Sequence, residues 1–182
     1  YMESKAFLEG DTLILRPLAI SDLEGAYISW LNDPEVNAHN SHHVFPYTEA
    51  QARAYVERVS TDEHNLVLAI VAKDSKTHIG NISLQHIDFV SHSAEYAILI
   101  GDRAYWGKGV AAEASRLLLK HGFTALNLHR IYCGTSSENI AMQKLAAKLG
   151  FVEEGKRREA HYKNGAYTDI IEYGLLASEF SA

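Results

Sequence analysis

The stretch YWGKGVAAEA, Tyr105 to Ala114, places two glycines two positions apart at the start of a helical pattern, just after the apolar run AEYAILIG. Gly107 and Gly109 would let the backbone curl tightly and approach a ligand closely. The first N–H groups of a helix have no intrahelical acceptor, and the helix dipole adds positive potential, so the stretch reads as an anion site, most simply for phosphate. Two familiar phosphate loops are excluded. GKGVAA formally matches G-x-G-x-x-A, but that dinucleotide fingerprint needs a strand running straight into the first glycine and an acidic residue about 20 positions later. Here DRAYW intervenes, three meander strands precede, and the acidic residue is missing. A nucleotide P-loop fails because Lys108 is followed by Gly109 and not by Ser or Thr. A glycine turn without a ligand is the alternative this stretch alone leaves open.

The other reactive side chains point to less. HNSHH brings His39, His42 and His43 together, but in no common ligand spacing, so solvated loop histidines or acceptor contacts are expected and no metal. Cys133 lies in an apolar strand pattern and reads as core, not nucleophile. As the single cysteine it excludes an internal disulfide and fits a reducing cytoplasm. A net charge of −6 argues against nucleic acid as partner. No apolar run approaches the roughly 20 residues of a membrane span. Tyr1 precedes Met2 and reads as a cloning remnant.

The elements that must position these residues follow from periodicity. TLILRPL, Thr12 to Leu18, alternates as a first strand. Ser21 and Asp22 can cap a helix carrying Leu23, Tyr27, Trp30 and Leu31, stopped by Asn32 to Pro34; Thr48 can cap a second, with Ala52, Tyr55, Val56 and Val59 on its apolar side. Three strands, Asn65–Lys73, His78–Phe89 and Ser93–Gly101, are joined by short polar turns as an antiparallel meander. A helix runs from Val110 to about Gly122, HRIYCGT is a further strand, and Asn139 caps a helix that Gly150 ends. FVEEGKRREA and AYTDIIEYGLL close as a hairpin turned at Asn164-Gly165. The order β-α-α-β-β-β-α-β-α-β-β predicts an α+β fold, a mixed, mostly antiparallel sheet with helices on its faces, in a single domain spanning 1–182 with its core at about 12–180.

This arrangement resembles the GNAT superfamily of acetyl-coenzyme A-dependent N-acetyltransferases. Its central Gln/Arg-x-x-Gly-x-Gly/Ala motif is met with Trp106 at the Gln/Arg position, Gly109 at the glycine and Ala111 at the last small residue. The later Asn…Gly-Phe motif appears as NIAMQKLAAKLGF, Asn139 to Phe151. SWLNDPEV and the tail RREAHYKNGAYTDIIEYGLL are similar to the ribosomal-protein-serine/alanine N-acetyltransferase branch, and related bacterial enzymes acylate amino sugars on nucleotide carriers.

The resemblance implies acetyl-coenzyme A as acetyl donor. The amides of Gly107, Lys108, Gly109, Val110, Ala111 and Ala112 would hold its pyrophosphate, and the edge Ile98, Leu99 and Ile100 would pair with pantetheine where the fourth strand splays from the fifth. An amide near Leu99 would face the thioester oxygen. Asn139 would bond the pantetheine arm while also capping its helix. Lys144 or Lys148 could reach a coenzyme phosphate, against the alternative of a solvated helix face; Trp106 packs the loop or touches the ligand. Glu95 is the candidate base, with a structural carboxylate as its alternative. The acid is not transferable, because the family tyrosine and serine positions hold Ala146 and Met142; Ser136, Ser137 and Tyr167 are the substitutes. The acceptor, an amine on a protein N-terminus or a small molecule such as a nucleotide-linked sugar, would be lined by Trp30, Asn32, His43, Phe45, Tyr162 and Tyr167. A non-catalytic coenzyme A sensor and a ligand-free structural domain are the rival readings, and homodimers are common in the superfamily.

Overall fold

A computed structural model describes residues 5–181, so Tyr1 lies outside the described residues. Eight strands form one sheet in the order β1-β2-β3-β4-β5-β6-β8-β7. They are β1 (Leu8–Glu9), β2 (Leu13–Pro17), β3 (Leu66–Ala72), β4 (His78–Asp88), β5 (Ser93–Ile100), β6 (Arg130–Ser136), β7 (Val152–Lys163) and β8 (Ala166–Leu176). All neighbours are antiparallel except β5 and β6. The short β1, absent from the sequence reading, pairs only Leu8 and Glu9 with β2, too few residues to show a period.

Four α-helices cover the sheet: α1 (Tyr27–Leu31), α2 (Glu49–Val59), α3 (Val110–Thr124) and α4 (Ile140–Leu149). The first expected helix is broken into a 3-10 turn, Ile20–Glu24, and α1, with Gly25 between them in an extended conformation. α2 begins as expected, with the Thr48 hydroxyl accepting from the Gln51 amide at 3.3 Å and the Gln51 side chain accepting from the Thr48 amide at 2.9 Å.

Strand alternation divides the core. Leu66, Leu68, Ile70 and Ala72 of β3 pack with Ala94, Tyr96, Ile98 and Ile100 of β5 under α3 and α4. Val67, Ala69 and Leu99 face the other way, against Tyr27, Trp30, Leu31 and Val56 of α1 and α2. Glu95 shares the Leu99 face of β5 and so belongs to the α1/α2 side. Burying these two faces is the main favourable contribution to folding.

Asp22 ties the entry of the first turn to the sheet. Its carboxylate accepts from both Arg16 guanidinium nitrogens, at 2.9 and 2.6 Å, and from the Ala19 amide at 2.8 Å. Burial pushes its carboxyl up, but the Arg16 guanidinium, the Ala19 amide and neighbouring His78 outweigh that and hold it below its ordinary value. A carboxyl depressed by folding stabilises the protein above its unfolded pKa and loses that contribution as pH falls through the folded value. Asp22→Asn leaves Arg16 partly buried without its charge partner and is expected to cost about 3 kcal/mol. Urea unfolding at pH 7 checks the cost, and the difference between the two proteins should shrink below about pH 4.

Candidate active site

The opening in the sheet lies between β5 and β6. Their parallel pairing comprises only Ser93↔Arg130, Ala94↔Ile131 and Glu95↔Tyr132, and stops there. β5 continues to Ile100 against β4, while β6 continues to Ser136 against β8, so the two strands part as the expected splay requires.

Register decides which backbone groups face this slot. The Gly101 amide donates to Ile79 of the β4 ladder at 2.9 Å, and antiparallel pairing alternates the direction of successive residues. Leu99, opposite Asn81, therefore turns its N–H and C=O toward β4. This corrects the expectation that the Leu99 amide faces the thioester: a buried β-ladder already uses it. Beyond the pairing with Tyr132, the Tyr96 carbonyl, both backbone groups of Ile98 and the Ile100 N–H face the slot, and Ile98 carries the amide best placed there.

The loop from β5 to α3 is held in shape by side chains at every step. Asp102 accepts from the Ala104 amide at 2.9 Å. Arg103 bonds Asp33 at 3.0 Å and also Glu35. The Tyr105 hydroxyl donates to Asp74 at 3.0 Å, and Lys108 lies over the Tyr105 ring, 5.4 Å from its centroid. The Trp106 indole N–H donates to the Ile100 carbonyl at 2.8 Å, closing the loop on the strand it left. That bond supports the packing role for Trp106. Trp106→Phe removes it and should weaken coenzyme binding about fivefold, the effect of one ordinary hydrogen bond, as measured by calorimetry.

Gly107 and Gly109 have φ values of 71° and 81°, and a Cβ at either would meet nothing within 4 Å. Among the described residues, the amides from Gly107 through Ala112 have no protein acceptor. The Glu113 carboxylate, which would repel an anion, is turned away to the Thr12 amide at 2.8 Å. This is a row of unspent donors at a helix start, open to solvent, and it fits a diphosphate.

Across the slot, the Asn139 side-chain oxygen accepts from the Met142 amide at 3.1 Å, while among the described residues its amide NH₂ has no partner. The cap is formed and a donor remains. Lys144 is exposed on α4. Ala146 is fully buried and Met142 packs against the core, so the family's acid positions are apolar here. The Ser136 hydroxyl lies 3.1 Å from that of Thr168. Cys133 is buried, and burial followed by the charges of Glu95 and Glu172 pushes its thiol up to about 12, which keeps it protonated.

The expected acceptor residues divide into lining and support. His43 and Phe45 line a pocket of about 180 Å³ with Leu31, His42, Tyr47 and Gln51. Tyr162 and Tyr167 are exposed and packed against each other with tilted rings, 4.8 Å between centroids, near the hairpin tip. Asn32 is spent on its neighbours, bonding the Tyr47 amide and carbonyl at 2.8 Å each. Trp30 is buried beneath Gly101 and edge-on to His78, so it backs the site and does not line it. Sequence reasoning missed Lys163, whose ammonium donates to the carbonyls of Asn40 and His42 and fastens the closing hairpin to the 39–47 loop. Its place directly before the Asn164-Gly165 turn was readable, but its target was not. Burial and the Lys163 charge hold His42 below the ordinary imidazole value. Glu95 is half-exposed, with His86 Nδ1 3.0 Å from its carboxylate. Among the described residues no group of three or more His, Cys, Asp or Glu is arranged to hold a metal ion, and no helix is long and apolar enough to cross a membrane.

A sheet parted between parallel strands, with open amides at the mouth of the following helix, defines an acyltransferase architecture. The chain belongs to the GNAT acetyltransferase family: the Acetyltransferase (GNAT) domain matches residues 12–152. It is 31% identical to the N-acetyltransferase p20 of Bacillus licheniformis over 94% of this chain and 96% of that one. It is 36% identical to the spermidine N(1)-acetyltransferase of Vibrio cholerae over 61% of this chain and 64% of that one. The structure of the Vibrio cholerae spermidine N-acetyltransferase in complex with CoA and spermine superposes with a TM-score of 0.85 at 29% identity, covering 93% of this chain and 98% of that one. The protein is an acyltransferase of the N-acetyltransferase type, and acetyl-coenzyme A is the acetyl donor of its family.

Proposed function

We propose that the protein moves an acetyl group from acetyl-coenzyme A to a primary amine by direct attack in a ternary complex. The observation that carries this reading is the termination of β5–β6 pairing at Glu95↔Tyr132 beside a loop of unspent amides. The amides of Gly107 to Ala112 hold the diphosphate, the slot edge of Tyr96, Ile98 and Ile100 pairs with the pantetheine amides as an added strand, and the Asn139 NH₂ holds the arm from the opposite wall. When bound, the coenzyme supplies a thioester carbonyl. The Ile98 amide is the donor for the negative charge that develops on its oxygen. Glu95, set back along β5 from the Ile98 amide, draws the acceptor's proton through a relay of waters. With Cys133 buried and protonated, no covalent enzyme intermediate is needed. The single buried cysteine also supports a cytoplasmic setting.

The acceptor we infer is cationic. Glu95 lies on the sheet face opposite α3 and α4, where the strands part, and the net charge of −6 acts in the same direction. Spermidine, the substrate named for the Vibrio relative, and peptides beginning with Ser or Ala are therefore the first amines to try. Incubation with acetyl-coenzyme A and that panel plus glucosamine, read by mass, should show one acetyl added to at least one amine. Coenzyme binding without turnover on any of them would favour a sensor. Glu95→Gln should lower kcat about 100-fold in the same assay; a kcat within threefold of the parent rejects Glu95 as base.

A further inference from the structure

Among the described residues, two buried side-chain nitrogens have no hydrogen-bond partner, His92 Nδ1 and His161 Nε2. Such orphans are rare because desolvation is uncompensated, and each calls for an explanation. His92 sits in the β4–β5 turn, away from the slot. His161 lies beside it. Its Nδ1 is 3.3 Å from the Thr168 hydroxyl, which is 3.1 Å from the Ser136 hydroxyl, and Ser136 Oγ accepts from the Glu138 amide at 3.3 Å.

This chain of groups faces the acceptor side. Ile171 and Tyr173 of β8 and Ile131 and Cys133 of β6 point into the α3/α4 core, so Thr168 and Ser136 point the opposite way. Continuing the Glu95↔Tyr132 register by four residues sets Ser136 across the slot from Leu99, at the level of the Ile98 amide. Glu95 lies about 13 Å back along the strand. Lys163, two residues beyond His161 and on the same face of β7, is clasped by the Asn40 and His42 carbonyls, which holds the 39–47 loop against the hairpin beside this chain of groups.

We infer that His161 Nε2 is the acceptor-binding group: it receives an N–H of the amine and points the nitrogen lone pair at the thioester. This rests on the acetyltransferase reading above. It requires the ring proton on Nδ1, donated to Thr168 Oγ1, with Thr168 donating on to Ser136 Oγ. The proton lost as the C–N bond forms leaves by way of Glu95, and the electron pair of the broken C–S bond departs on sulfur.

Two measurements test it. In steady-state kinetics with the amine that turns over, His161→Leu should raise KM for the amine about tenfold or more, with coenzyme A affinity unchanged. His161→Gln, whose side-chain oxygen can accept at the Nε2 position, should recover most of the loss, and Thr168→Val should show a smaller rise. An unchanged amine KM in His161→Leu overturns the assignment. Independently of turnover, long-range ¹H–¹⁵N spectra of the coenzyme A complex should show the His161 Nε2 resonance, identified by its loss in His161→Gln, moving upfield when spermidine or the Ser-starting peptide is added. A resonance unmoved by both overturns the assignment even in an active enzyme. A shift in a protein that acetylates nothing upholds the amine site while refuting the transfer reaction.

Discussion

Gly109→Val should reduce coenzyme A affinity at least 100-fold while the protein remains folded. Gly109 is the N-cap of α3 with φ 81° and ψ −1°, a left-handed conformation. A β-branched residue there costs about 1–2 kcal/mol in backbone strain alone. The surroundings add nothing to that cost, since a Cβ would meet no atom within 4 Å. The open space is instead where the diphosphate must approach the amides of Gly107 to Ala112, and the valine side chain fills it. Relief of strain would also turn the peptide and disperse the row of donors. Isothermal titration with coenzyme A reads the affinity, and circular dichroism reads the fold. An affinity within threefold of the parent would refute the diphosphate assignment.

Gly101→Ala should lower stability by about 3 kcal/mol or more, one of the larger effects a single methyl can have. A Cβ on Gly101 would lie 2.0 Å from Trp30 Cδ2 and 2.3 Å from Cγ. The ring cannot retreat, because it is 6% exposed and meets His78 edge-on at 4.9 Å and Tyr27 at 6.1 Å. Either the indole repacks or the end of β5 moves. The second response displaces the loop that begins at Asp102, so coenzyme affinity should fall along with stability. Thermal unfolding should show a loss of about 6–12 °C for a chain of this size. Adding Trp30→Leu, which clears the overlap, should make Gly101→Ala nearly silent; full additivity of the two losses would show that the contact is not the cause.

These two glycines differ in how readable they were. Gly109 stands in a spacing that already implied a turn and an anion, and its φ agrees. Gly101 stood at the end of an apolar strand with no local sign that an indole presses on it. Trp30 reads in the sequence as acceptor lining because it stands on an early helix expected to wall that site. Its burial depends on α1 folding over β5, seventy residues away in the chain.

The strands other than β1, the helix caps at Thr48 and Asn139, the Asn164-Gly165 turn and the glycine loop were determined by the sequence alone, because each is governed by alternation, helical periodicity or φ preference within a few neighbouring residues. The tertiary structure alone decided that Ile98 and not Leu99 offers its amide to the slot, since a ladder register of one residue reverses every backbone group. It alone brought Ser136, Thr168 and His161 into one chain of contacts, from β6 and the two strands of the closing hairpin. Hydrogen bonds between residues so far apart leave no period or motif behind, because any of many polar side chains could have stood at each position until the sheet set them side by side.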